Sequence, residues 1–459
     1  MHRNPSAAAR TIGARTTVTP APVLGNCPVQ WRVKDGGNGN WYTTNAPLCW
    51  WIWHSARANK VGSHLASLTD VAEPTFQIGR LLRKLCPRQR HDVTSALLER
   101  TKPMKVTTII GARPQFVKAA VVSRAFRESG ADIVETIVHT GQHYDANMSD
   151  VFFADLDLPK PKHNLGIGGG SHGHNTGRML EAIELVLMND RPDWVLVYGD
   201  TDSTLAGALA AAKLHIRVAH VEAGLRSFNR RMPEEVNRVL TDHAADLLFT
   251  PTSVATQNLE REGIRDKRVM QVGDVMFDAA KFYSQRSRAP VGFVQPPAFV
   301  LATVHRAENT DSSDRLREII SALDTCAAKV PVVLPLHPRT RQRLAAFGIA
   351  SPNITMIDPV GYLEMIWLLT QCQCVVTDSG GVQKEAYFFA KPCITTRDET
   401  EWVELVDAGA NQLVGADSIR LRGALQSVLS GDSQVRPVSG NLYGSGQSAL
   451  EIVRGLAGS

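Results

Sequence analysis

The chain is 459 residues long, 43% hydrophobic and 21% charged, enough to bury real cores in two or three domains. Its net charge of +5 is uneven: residues 1–103 hold 14 Lys and Arg against 5 Asp and Glu, the remainder 36 against 40. The mildly acidic body argues against a nucleic-acid partner, and no apolar run approaches the roughly 18 residues that cross a bilayer, so no membrane association is expected.

In chain order, residues 1–103 carry five of the eight tryptophans, scattered prolines and no sustained helix or strand period. The first 34 residues contain no acid, yet there is no amphipathic Ser-rich helix and no signal-type apolar core with a cleavage site. Residues 1–103 are therefore expected to be an unstructured extension outside the fold. Met104-Lys105-Val106 then opens an apolar strand. Strands are predicted near 105–110, 133–138, 194–198, 217–221, 246–250 and 269–272, and again near 298–303, 331–335, 354–357, 373–377, 392–395 and 411–414. Segments such as 116–129, 177–188, 203–213, 234–244 and 313–328 read as intervening helices. Strand–helix alternation predicts parallel sheets of the α/β class, too many strands for one sheet. The expectation is two Rossmann-like domains, 104–275 and 276–445, facing each other across a cleft, with a last helix at 446–456 returning to the first.

The strongest motif is Cys374-Val-Val-Thr-Asp378-Ser379-Gly380-Gly381-Val-Gln383-Lys384-Glu385. An apolar strand runs through two glycines into a helix, whose free N–H groups and positive end bind phosphate. Glu385, one turn in, is placed to accept hydrogen bonds from ribose hydroxyls. The segment predicts a nucleoside-diphosphate site. Arg113 and Lys118, in Gly111-Ala-Arg113-Pro114-Gln-Phe-Val-Lys118, add cations at the tip of the first strand, facing that cradle.

Carboxylates gather at other strand ends. Gly199-Asp200-Thr-Asp202-Ser203 follows a strand; Asp200 either caps the next helix or acts in catalysis, and Asp202 or Ser203 starts that helix. A divalent metal there lacks a third ligand at useful spacing, so none is expected. His220-Val-Glu222-Ala-Gly224-Leu-Arg226 and Pro233-Glu234-Glu235-Val-Asn237-Arg238 bring Glu222 and Glu234 to the same sheet edge, where grouped carboxylates acquire raised pKa values and move protons. Thr303-Val-His305-Arg306 offers a histidine to a phosphate or leaving group, and Leu336-His337-Pro338-Arg339 does so less directly. Gly166-Ile-Gly168-Gly-Gly half-matches a dinucleotide fingerprint but follows no predicted strand, so NAD is not expected and the segment reads as a loop. Of seven cysteines, only Cys372-Gln-Cys374 is closely spaced, inside a predicted strand that turns the two thiols to opposite faces. Buried free thiols imply a reducing, cytoplasmic setting.

Together, Gly-Ala-Arg113-Pro-Gln, Thr-Gly-Gln142-His143-Tyr144, Tyr-Gly-Asp200-Thr, His-Val-Glu222-Ala-Gly-Leu-Arg226, Pro-Glu234-Glu-x-Asn-Arg and Thr-Asp378-Ser379-Gly380-Gly381-x-Gln resemble the non-hydrolysing UDP-N-acetylglucosamine 2-epimerases, in order over nearly all of 104–459. The resemblance implies the two-domain GT-B fold, a cytoplasmic homodimer and no cofactor. It also implies conversion of UDP-N-acetylglucosamine to UDP-N-acetylmannosamine for cell-surface polysaccharide precursors. By the same resemblance UDP is eliminated across C1–C2 and re-added from the other face. Asp200, Glu222 and Glu234 are then acid/base residues, and His305 assists the diphosphate. Arg113, Lys118, Ser379, Gly380, Gly381 and Glu385 bind UDP.

Two positions depart from many members. Trp402 stands where they have a substrate-binding arginine, and Tyr144 where bacterial members have arginine in a loop of a second, activating site. Both variants resemble a sub-branch that includes epimerases of UDP-2,3-diacetamido-2,3-dideoxy-glucuronate, the alternative substrate. A GT-B glycosyltransferase needs the same cradle but seldom three strand-end carboxylates. A non-enzymatic nucleotide-sugar-binding protein has no use for them, and a hydrolysing epimerase would release free UDP.

Overall fold

The structure, a computed structural model, describes residues 10–11, 17–20, 31–34, 41–44, 102–142, 153, 155–432, 435 and 440–459. Residues 1–101 and 102–459 form separate compact units. In the first, β1 (Arg10–Thr11), β2 (Thr17–Pro20), β3 (Trp31–Lys34) and β4 (Trp41–Thr44) pair antiparallel in that order. The rest of that unit lies outside the described residues, as does Tyr144.

The second unit contains two all-parallel sheets. The first is built from β5 (Met104–Ile110), β6 (Ile133–His139), β7 (His163–Asn164), β8 (Trp194–Tyr198), β9 (Arg217–Val221), β10 (Leu247–Thr250) and β11 (Val269–Gln271), in the spatial order β11-β10-β9-β8-β5-β6-β7. The second comprises β12 (Val300–Thr303), β13 (Val332–Pro335), β14 (Thr355–Ile357), β15 (Cys374–Thr377), β16 (Cys393–Thr395) and β17 (Asn411–Leu413), ordered β14-β13-β12-β15-β16-β17. Strands such as Trp194-Val-Leu-Val-Tyr198 are buried along their whole length because helices cover both faces, which is why they read as unbroken apolar runs. In each sheet the strand order reverses once, between β5 and β8 and between β12 and β15, and the crevice beyond such a reversal is where this architecture takes ligands. The two-Rossmann, GT-B organisation read from the sequence is the observed one.

One apolar core extends from the first sheet to helix Tyr362–Gln371 of the second domain, joining Phe116 and Val121 with Tyr283, Leu363, Ile366, Ile452 and Leu456. Helix Val275–Ser284 packs on helix Arg113–Glu128 and on helices Tyr362–Gln371 and Gly380–Phe388. Helix Ser448–Gly458 also lies on Arg113–Glu128, its N-terminus held by Asp278, which accepts from the Ser448 and Ala449 N–H groups at 3.1 and 2.8 Å.

Three local expectations are corrected. The glycine-rich segment does follow a strand, but β7 is only two residues, too short for a period of two to be seen. Helix Asp202–Lys213 is capped by Thr201, whose side chain accepts from the Thr204 N–H, and not by Asp200. Cys372 closes helix Tyr362–Gln371 and only Cys374 belongs to β15.

Candidate active site

A cleft of about 970 Å³ opens beyond the two reversals. From the first sheet it is lined by Arg113, Gln142 and the glycines 141, 166, 168 and 169, and from the second by Thr303, His305, His337, Val360, Met365 and Val382. Gln115 fastens the first wall. Its side-chain oxygen accepts from the Gly111 and Ala112 N–H groups (2.8 and 2.9 Å), and its amide donates to the Tyr198 carbonyl (2.8 Å), binding the end of β5 to the end of β8. Gly111 has no room for a side chain: a Cβ there would lie 2.0 Å from Thr140 Oγ1. Opposite, burial and then the charges of His305 and Arg113 push His337 below the usual imidazole range, so these three groups share the mouth of the cleft.

Asp378 organises the turns that follow β12 and β15. Fully buried at the end of β15, it accepts from the backbone N–H groups of His305 and Arg306 and from Asn309 Nδ2, all at 3.0–3.2 Å, and its Oδ1 lies 3.3 Å from His305 Nδ1. One carboxylate thus sets the loop after β12 beside the turn after β15. The His305 side chain stays 42% exposed, turned to the opening. Ser379 is the cap residue of helix Gly380–Phe388, yet its side chain does not cap the helix, which leaves that helix end open to an anion. The two glycines differ. A Cβ at Gly380 would lie 2.5 Å from Glu401 Oε1 and 3.2 Å from Trp402 Nε1, whereas at Gly381 nothing is nearer than Ser379 Oγ at 3.9 Å. Packing demands the first; the exposed second leaves backbone free for a ligand to approach.

A buried charge cluster surrounds Glu222. Glu222, at the end of β9, has φ +72°, a left-handed conformation uncommon for a side chain of this kind. Its Oε2 pairs with Lys118 and its Oε1 accepts from Lys384 at 2.8 Å; Lys384 also donates to Asp274 Oδ2 at 2.6 Å. Burial alone would raise the Glu222 carboxyl, but the two ammonium groups outweigh it and hold Glu222 well below the carboxylate range. The raised pKa expected for strand-end carboxylates therefore fails here, because both oxygens meet cations. Lys118, placed by motif at the diphosphate, instead turns its ammonium inward. Glu385 behaves oppositely: burial pushes it up to about 7, tempered by the Tyr362 hydroxyl and Lys384 beside it.

Asp200 and Glu234 remain accessible. Asp200, 31% exposed, accepts from Arg238 Nη2 at 2.6 Å, and its carbonyl is held by Asn237 Nδ2 at 2.9 Å. Glu234 is half-buried with no hydrogen bond or ion pair among the described residues. Its neighbour Glu235 is buried and accepts from Ser227, Phe228 and Arg238. The first glutamate faces out and the second fixes the loop. His220, fully buried, spans Asp242 Oδ1 (2.7 Å) and the Gly199 carbonyl (2.8 Å), supporting the turn that carries Asp200. Arg238 also feels the charge of Glu401, whose Oε1 would lie 2.5 Å from a Cβ at Gly380. Asn229 Nδ2 donates to Glu399 Oε1 at 2.8 Å, so the loop before helix Pro233–Ala244 touches the loop after β16. Trp402 is buried, its indole N–H has no hydrogen-bond partner among the described residues, and its ring lies 4.1 Å from the Lys384 ammonium. Sequence reasoning missed Lys384, Asp274 and Asp242, whose partners lie far away in the chain. Among the described residues no group of three or more His, Cys, Asp or Glu is placed to hold a metal, and no helix is long and apolar enough to cross a membrane.

A sequence model described as UDP-N-acetylglucosamine 2-epimerase matches residues 125–457. A protein of Pseudomonas aeruginosa named UDP-2,3-diacetamido-2,3-dideoxy-D-glucuronate 2-epimerase is 56% identical over 77% of this chain and 99% of its own length. A Methanocaldococcus jannaschii protein named UDP-N-acetylglucosamine 2-epimerase is 44% identical over 76% of this chain and 98% of its own. The crystal structure of the M. jannaschii enzyme in complex with UDP-GlcNAc and UDP superposes with a TM-score of 0.71 at 43% identity, covering 78% of this chain and all of that one. With the cleft, the glycine cradle and the strand-end carboxylates in place, these likenesses establish that the chain belongs to the UDP-N-acetylglucosamine 2-epimerase family, enzymes that epimerise UDP-sugars.

Proposed function

We propose that this chain inverts C2 of a UDP-2-acetamido sugar without a redox step, and that its substrate is UDP-2,3-diacetamido-2,3-dideoxy-glucuronate. The observation that carries the reaction is the Arg238 guanidinium, which orients the accessible Asp200 carboxylate at 2.6 Å from the helix whose first turn carries Glu234, while the loop before that helix touches the loop after β16 through Asn229 and Glu399 at 2.8 Å. The C2 hydrogen is not acidified by a carbonyl, so its removal is coupled to loss of the C1 substituent. One carboxylate takes the C2 proton as the C1–O bond breaks and UDP leaves with the bonding pair. The resulting glycal is protonated at C2 on the other face as UDP re-adds to C1. Asp200 and Glu234 are the proton carriers, and Glu222 stays ionised as a fixed charge beneath them. The open end of helix Gly380–Phe388, with Ser379, Gly380 and Gly381, holds the diphosphate; Arg113 and His305 meet it from the cleft mouth, and Glu385 takes the ribose. Closure around the sugar excludes water that would intercept the glycal.

The choice of sugar is supported by the 56% likeness to the diacetamido-glucuronate enzyme and by Trp402. UDP-N-acetylglucosamine is the second reading, supported by the family model and by the M. jannaschii relative. Each sugar, incubated with the full chain in D₂O and followed by proton NMR, decides the matter. Deuterium appearing at C2 of the manno-configured uronate alone supports the first; turnover of UDP-N-acetylglucosamine alone replaces it with the second. Turnover only on adding a sugar acceptor would point to a glycosyltransferase and sink both.

A further inference from the structure

We propose that Lys384 is a positioning residue for the C2 chemistry, holding the Glu222 carboxylate of the first sheet from the helix that begins at the glycine turn of the second. The inference rests on the epimerase reading above and adds a residue that none of the family motifs brought forward. Lys384 is 2% exposed, and its ammonium has two carboxylates as partners, Glu222 Oε1 at 2.8 Å and Asp274 Oδ2 at 2.6 Å. Trp402 lies over it at 4.1 Å, closing the remaining side with an aromatic face. Asp274 is itself fixed, since its other oxygen caps helix Val275–Ser284 at the seam between the sheets. The lysine therefore joins three elements at one point.

Glu222 directly follows the first-sheet strand β9. Its left-handed backbone is pinned where Glu222 N–H donates to the Phe249 carbonyl (3.1 Å), which commits the direction of the side chain. That direction leads under the Asp200 turn. A Cβ added at Gly199 would lie 3.3 Å from both Glu222 Oε2 and Lys118 Nζ. Lys118 and Lys384 thus grip the two oxygens from opposite sheets directly beneath the turn that presents Asp200. The other titratable groups around the cluster are Asp274, Glu385, Glu404, Tyr362 and Tyr443. None of these supplies a second cation to Oε1. Without Lys384, Glu222 keeps only Lys118, and the orientation of the carboxylate is no longer tied to the glycine turn.

The test uses the full chain and compares wild type with K384M, K384R, E222Q and the E222Q/K384M double variant. Readouts are deuterium entry at C2, the pH profile of kcat and the Kd for UDP. K384M is expected to lower kcat by ~100-fold while changing the Kd for UDP less than about threefold. It should also move the acidic limb of the profile towards neutral, since Glu222 then has one cation instead of two. K384R should restore part of both. Because Lys384 acts through Glu222, the double variant should be no slower than E222Q alone. A wild-type kcat and limb in K384M, or losses that multiply in the double variant, would overturn the proposal while leaving the epimerase reading intact. Wild-type protein inert towards both sugars would overturn both. If K384M does not fold, the double variant, in which Lys384 and Glu222 are removed together and Asp274 keeps its helix cap, carries the test against E222Q.

Discussion

Arg238 Nη2 lies 2.6 Å from Asp200 Oδ2, and the same guanidinium donates through Nη1 to Glu235 at 2.8 Å. One cation therefore orients the accessible carboxylate at the end of β8 and locks the buried one that shapes the 226–235 loop. Burial would depress Arg238, but Asp200, Glu401 and Glu235 more than compensate and raise it, so it stays charged throughout the working range. Asp200→Asn keeps the shape and removes the proton acceptor. It should lower kcat by about 10²-fold or more and leave UDP affinity nearly unchanged. Kinetics beside calorimetric UDP titration check this; a variant that loses UDP binding but keeps kcat would assign Asp200 to binding.

The adjacent glutamates give a sharper contrast. Glu234→Gln removes a half-exposed carboxylate with no partner among the described residues, so thermal stability should be unchanged and turnover should collapse. Glu235→Gln disturbs a buried carboxylate that holds Ser227, Phe228 and Arg238, so it should cost about 1–3 kcal/mol of stability. Melting curves and kcat measured on both variants test the split. Equal effects of the two on both quantities would mean that the helix start, not the individual carboxylate, is what matters.

These two neighbours also show how far the sequence could be read. The sheets were legible because parallel strands covered by helices on both faces are continuous apolar runs, and the strand-end motifs fell where such runs stop. Pro-Glu-Glu alone does not say which carboxylate is buried; the backbone of residues 227 and 228 decides that. Lys384 was equally opaque. A lysine in a helix reads as solvated, and only the meeting of two sheets brings Glu222, 162 positions away, to its ammonium. Glu222 was placed correctly at its strand end, but its charge environment was not, because Lys118 and Lys384 come from helices of different sheets. The two-residue β7 escaped because a period needs more residues than it has.

The paired glycines separate packing from binding. At Gly380 a methyl group would collide with Glu401 Oε1 at 2.5 Å, and Glu401 is itself tied to Arg397 at 2.8 Å. Gly380→Ala should therefore cost about 1–3 kcal/mol of stability. Gly381→Ala meets nothing within 3.9 Å, so the protein should melt at or slightly above the wild-type temperature. Its KM for the UDP-sugar should rise, since the methyl group occupies the space proposed for the diphosphate. An unaltered KM in Gly381→Ala would move the diphosphate away from this turn.

Glu385 provides a pH signature. Burial raises its carboxyl from the ordinary glutamate value of 4.5 to about 7, with Tyr362 and Lys384 opposing the rise. The folded protein thus holds this proton where the unfolded chain has lost it. The stability that Glu385 contributes is fully present below pH about 4.5 and is lost as pH climbs through about 7, a change on the order of 3 kcal/mol. The stability of wild type relative to Glu385→Gln should fall over that window, as read from denaturant unfolding at pH 5 and 8. Ligand binding runs the other way. Ribose hydroxyls donate to the ionised carboxylate, so UDP affinity should increase by ~10-fold from pH 6 to 8 as the proton is released. Calorimetry on Glu385→Gln isolates this from the titration of UDP itself, because the variant binds more weakly and lacks the side-chain contribution. If wild type and variant show the same pH dependence, Glu385 does not meet the ribose, and its raised pKa reflects burial beside Tyr362 alone.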